Sequence, residues 1–164
     1  MVTANLLDTL ATSESPRLDF TPRPGTLDVA TITAAVSAWC TGKSLSADRQ
    51  ALLLALALLY HDHEPEAHAL CQANEGQSDA DLIHAILHRR EGDAANAGYW
   101  WRAVGDHPVF PALAAAAARF QVPAGEGHFD PQAVVAAVMA KADVSRLRAY
   151  QMEEFHVVAA HLGR

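Results

Sequence analysis

"SADRQALLLALALLYHDH", residues 46–63, decides the fold class. Ser46 stands where a helix cap belongs, and residues 51–60, "ALLLALALLY", are apolar whichever way a helix is turned. A helix apolar all round sits in the middle of a protein. Ten residues are too few to cross a bilayer, so the expectation is a buried helix and no membrane partner. The opening "MVTANLLDTLATSESPRLDF" lacks the basic start and long apolar run of a signal peptide, which predicts a soluble cytoplasmic protein.

The neighbours of this stretch read as more helices. "TLDVATITAAVSAWCTG" (26–42) has Thr26 as its expected cap, Asp28 in its first turn and Gly42 at its end. "EPEAHALCQAN" (64–74) follows almost without a loop, with Pro65 at a first helical position. "SDADLIHAILHRREG" (78–92), with Ser78 as cap, and "DAANAGYWWRAVG" (93–105) follow, then "HPVFPALAAAAARFQ" (107–121), "DPQAVVAAVMAKA" (130–142) and "SRLRAYQMEEFHVVAAHLG" (145–163). No segment alternates with period two. The fold class is therefore all-α: about eight helices in antiparallel helix-turn-helix pairs, TPR-like or an irregular bundle. Residues 1–25, with three prolines and a glycine in "SPRLDFTPRPG" (15–25), form a lead-in expected to be extended or wrapped over the surface; 26–164 form one domain.

A weak internal repeat supports the pairing. Shifted by thirty residues, Leu52, Leu53, Ala55 and Leu56 fall on Leu82, Ile83, Ala85 and Ile86. His61 falls on Glu91, so both positions are helix–helix turns. His84 and His88 fall on Leu54 and Leu58. Histidines at otherwise apolar positions need partners.

The 164 residues suit a single core, and a net charge of −7 argues against a nucleic-acid partner. Cys40 and Cys71 lie in apolar surroundings and read as reduced core thiols.

Chemistry concentrates in two places. "YHDHEPEAHALC" (60–71) packs three histidines and three carboxylates into twelve residues. On helix 78–92, His84, His88 and Glu91 form one ridge at i, i+4 and i+7. Two nitrogens and an oxygen so spaced can serve a divalent transition metal such as zinc, iron or nickel, with His61, Asp62, His63 or His107 completing the shell. The competing reading makes these histidines caps and seam partners. A second cluster, Arg89, Asn96, Tyr99, Trp101, Arg102 and His107 with Trp100, reads as an aromatic-walled ligand pocket or as a core with a polar network. Arg90 falls inside an apolar arc and is expected to be ion-paired and partly buried. Met152, Phe155 and Ala159 make 149–162 a docking helix.

The string "HAILHRREGDAANAGYWWRAVGDHPVF" (84–110) resembles one in a family of uncharacterised helical proteins of bacteria and fungi. That family carries a histidine-rich turn similar to "YHDHEPEAH", then an HRxEGDxxNAxYW motif, then segments similar to "FDPQAVV" and "AYQMEEFHVVAAH". The resemblance spans residues 50–162. Ala103 departs from a second basic residue expected beside Arg102, which removes the ground for an anion site there. The resemblance implies an architecture and a motif and supplies no reaction.

Three functions follow. The first is a helical binding or scaffold module for a protein or peptide partner, or for a second copy. The second is a metal-dependent or acid–base enzyme built on His84, His88 and Glu91 with His61 or His63. The third is a small-molecule binder lined by Tyr99, Trp100 and Trp101. The order favours a non-catalytic module.

Overall fold

A computed structural model describes residues 5–164. Among them are nine helices and no strand: α1 (Leu6–Thr9), α2 (Val29–Cys40), α3 (Ala47–Tyr60), α4 (Glu64–Ala73), α5 (Ser78–Glu91), α6 (Ala94–Val104), α7 (Phe110–Phe120), α8 (Pro131–Met139) and α9 (Val144–Leu162). No helix among the described residues is long and apolar enough to cross a membrane. The extra element is α1, a single turn in the lead-in. Asn5 and Asp8 close a reciprocal capping box on it, and it buries Leu6 and Leu7. Beyond α1, residues 11–25 run without helix.

α3 is the axis of the bundle. From Leu52 to Tyr60 only Leu54 is not fully buried, and α2, α4, α5 and α9 all pack against it. Turns of three residues (61–63) and two residues (92–93) fold α4 back on α3 and α6 back on α5. Ala67 and Ala97 lie at the two hairpin seams with no exposed surface, where a small side chain lets helices approach closely. Counted from helix ends, α3 and α5 are offset by 31 residues (47 to 78, 60 to 91), one more than the sequence pattern gives. His84 and His88 then match Leu53 and Ala57. Either register sets them opposite apolar residues.

Local chemistry sets the boundaries. Asp28, not Thr26, caps α2, its Oδ1 accepting from the Thr31 N–H at 2.8 Å. Ser78 is the first residue of α5 rather than its cap, and its hydroxyl donates to the Val104 carbonyl. Gly92 ends α5 with φ 82°, a left-handed conformation that glycine adopts cheaply. Cys40 and Cys71 are free and buried, and burial pushes the Cys71 thiol up to about 12, which leaves it inert.

Asp93 caps α6 with both carboxylate oxygens. Oδ1 accepts from the Asn96 N–H and Oδ2 from the Asn96 side chain. Asp93→Ala is expected to cost about 1 kcal/mol in urea unfolding, the usual worth of such a cap, and to leave ligand binding elsewhere unchanged.

Buried charges tie the helices together. Arg89 and Glu154 are wholly buried, with Nη1–Oε1 at 2.9 Å and Nη2–Oε2 at 2.5 Å. Tyr150 donates to Glu154 from one turn away. Burial works against the Arg89 charge, but Glu154 outweighs it and raises the pKa. Arg90 is buried as fully, more than its sequence position predicted. It donates to Asp62 at 2.6 Å and to the carbonyls of Leu59, Arg17 and Asp19. Its pKa falls to about 10 through burial, partly offset by Asp62. Arg23 pairs with the other Asp62 oxygen at 2.9 Å.

Candidate metal centre

α5 presents His84 and His88 one turn apart, and α4 brings His68 to meet them. One ring nitrogen from each lies within 4.8 Å of the others. The rings are ordered. His84 stacks on His88 with centroids 4.7 Å apart, and Trp100 of α6 stacks on the other face of His84 at 4.1 Å. His68 stands edge-on to both, at 4.7 and 5.4 Å. Three helices thus position one trio of imidazoles. Trp100 walls one side, and Tyr99, the largest exposed hydrophobic residue, packs edge-on against Trp100.

His84 is 1 % exposed, and neither of its ring nitrogens has a hydrogen-bond partner. Leaving a buried polar group unpaired costs roughly 1–3 kcal/mol. Burial, with help from His88 and His68, lowers its pKa to about 4. At neutral pH it is therefore an uncharged imidazole with a free lone pair, the form a metal requires. His88 differs. Its Nδ1–H donates to Glu91 Oε2 at 2.5 Å, which fixes the ring and leaves Nε2 for another partner. A carboxylate behind a ligating histidine is the usual orienting arrangement at metal sites. Glu64, at the start of α4, lies against Glu91; burial first, then a hydrogen bond with Glu91, raise its carboxyl pKa. His88 is thus backed by Glu91, and Glu91 in turn by Glu64.

His61 and His63, expected to complete the shell, have other work. The Leu27 N–H donates to His61 Nδ1 at 3.1 Å, and His63 Nε2 lies 2.7 Å from the Leu27 carbonyl oxygen. The two histidines grip both ends of one residue's backbone and fasten the entry to α2. Between them Asp62 takes a left-handed conformation, φ 69°, with its carboxylate between Arg23 and Arg90. The third histidine of the same stretch, His68, is the one that joins His84 and His88. It was missed because it lies on a different helix. The available signal was its position four residues after Glu64, on the face that α4 turns to α5.

The residues read as a ligand pocket have separate surroundings. Trp101 is buried against Phe110 and Phe129. Asn96 serves the α6 cap. Arg102 is exposed, and Arg89 is committed to Glu154. His107 donates from Nε2 to Asp79 Oδ1 at 2.9 Å and accepts the Val109 N–H at Nδ1. His161 Nε2 lies 2.9 Å from the same Asp79 oxygen. Asp79, His107 and His161 could also surround an ion. Their atoms already satisfy one another: burial raises the Asp79 carboxyl, but the two histidines outweigh it and hold it below the ordinary range. That trio is a clasp between the start of α5, the loop before α7 and the end of α9.

Comparison with protein-family models, with curated proteins and with solved structures finds no match to this chain.

Proposed function

We propose that this helical domain binds a divalent transition metal, of the class that zinc represents, through His68, His84 and His88. The buried His84 imidazole without any hydrogen-bond partner carries this reading. Helix pairing alone names no partner, whereas a neutral, unpartnered imidazole beside two others names a ligand chemistry. Three nitrogen ligands would leave one coordination position for water, the layout of a reactive ion rather than a closed structural one. Glu91 orients His88 from behind the ring, and Glu64 lies beside Glu91. A metal held there would lower the pKa of its bound water.

The test is zinc titration of chelator-treated protein, followed by calorimetry and thermal unfolding. Zinc at a hundred times its Kd is expected to stabilise the wild type by about 2.7 kcal/mol. His84→Leu is expected to abolish that binding and to raise the stability of the metal-free protein by about 1–3 kcal/mol, since it removes an unsatisfied buried group. A variant that still binds zinc, or a wild type that binds none, overturns the reading. Binding kept in His84→Leu but lost in Asp79→Asn would transfer the site to the other trio.

A further inference from the structure

A cleft of about 390 Å³ opens between the lead-in at Arg17–Thr21, the end of α5 and the α8–α9 corner. Its volume is in the range of small-molecule sites. Five of the chain's twelve basic residues line it: Arg17, Arg89, Arg90, Lys141 and Arg148. Only Asp19 and Glu91 of its nineteen acidic residues do, so the cleft is cationic in a chain of net charge −7.

Most of these cations already have partners. Arg89 holds Glu154, Arg90 holds Asp62, Arg17 holds Glu14, and one Arg148 amino group reaches Glu14 and Ser15. What is left over points to a ligand. The Nε–H of Arg89 and the Nε–H of Arg148 are both buried with no hydrogen-bond partner. Lys141 is exposed on the cleft wall and makes no ion pair among the described residues. It takes a left-handed backbone, φ 50°, at the turn between α8 and α9. Alongside these donors stand apolar groups: Leu18, Val138, Met139 and Val144. Val144 is 45 % exposed, one of two large apolar side chains among the described residues left that open to solvent.

Unpaired cationic donors beside uncovered apolar surface fit one class of ligand. We propose that this cleft binds a small oxyanion, carboxylate or phosphate, that carries a short apolar body. The head accepts from Lys141 and Arg148, with the buried Arg89 guanidinium adding positive charge behind them, and the body lies on Val144 and Met139. The inference stands apart from the metal reading: none of the three imidazoles lines the cleft, and Glu91, which touches both, is not one of the proposed anion donors.

Octanoate, octyl phosphate and 1-octanol are the probes, titrated by calorimetry into the full chain, with the Met139 methyl resonance followed by NMR. One of the two anions is expected to bind at least about tenfold more tightly than the alcohol, since a charge-assisted hydrogen bond contributes that much. The tighter anion identifies the head group. Lys141→Glu alters an exposed residue, so it is expected to leave unfolding and zinc titration unchanged while weakening the anion about tenfold or more. Arg148→Gln should weaken it as well. The proposal is overturned if neither anion binds, if the alcohol binds as tightly, or if Lys141→Glu leaves affinity unchanged.

Discussion

The metal-free protein is expected to lose roughly 5 kcal/mol of stability as pH falls from 6.5 to 4, because two buried histidines must take up protons when it unfolds and not before. Burial lowers His61 to about 4; the charges of Arg23 and His63 add to this, while the Leu10 backbone and Asp62 pull weakly the other way. His84 falls to about 4 as well. Above pH 6.5 both are neutral in the folded and unfolded chain, and stability is complete. Below it the unfolded chain binds protons that the folded chain refuses, so stability drains away until pH passes the folded values. Each histidine contributes about 2.5 kcal/mol over that window, against a total of about 5–15 for an ordinary domain. Protonation would also turn the His61 acceptor that receives the Leu27 N–H into a donor. Urea unfolding at a series of pH values, in chelator, measures the slope. His61→Asn keeps an acceptor but cannot titrate, so it should remove about half of it. A wild-type profile flat between pH 6.5 and 4.5 would show that these rings are not held neutral.

Glu154→Leu is expected to cost about 3–5 kcal/mol, because it strands the Arg89 guanidinium in the core without its counter-charge. Arg89 loses two bonds to the carboxylate and keeps only a long contact to Gln151 at 3.4 Å. The paired variant Arg89→Met with Glu154→Leu should recover much of that loss, since apolar residues of similar volume often replace a buried ion pair at little cost. A double-mutant cycle in urea separates the two results. A single Glu154→Leu within about 1 kcal/mol of wild type would mean that water reaches Arg89 and that the pair is not truly dry.

The all-helical class was legible in the row of capped helical segments, with residues 51–60 as the central one, because no segment alternates with period two. Arg90 was legible from its place in an apolar arc, and so was the His84–His88 pair, from its spacing on one helix. Glu154 was not read, though its position offered a signal. Leu147, Tyr150, Glu154 and Val158 follow helical spacing, and a carboxylate inside that buried stripe must be paired. His68 illustrates a deeper limit. Spacing along one helix fixes which side chains share a face, but the meeting of His68 with His84 depends on how α4 crosses α5. His61 and His63 looked like ligands for the same reason: a turn rich in imidazoles is dense in nitrogen whether it faces a site or a stretch of backbone.

The lead-in shows where the instructions for a path can be kept. It is held mainly at its own peptide groups. Gln151 donates to the carbonyls of Pro16 and Arg17, Arg148 to that of Ser15, Arg90 to those of Arg17 and Asp19, and Arg23 to that of Glu14. Every residue type offers the same carbonyl. The route of residues 14–19 is therefore written chiefly in side chains elsewhere in the chain, on α5 and α9 above all. Much of this segment could change its spelling and keep its course, while one altered arginine in a distant helix would loosen its hold at a particular carbonyl.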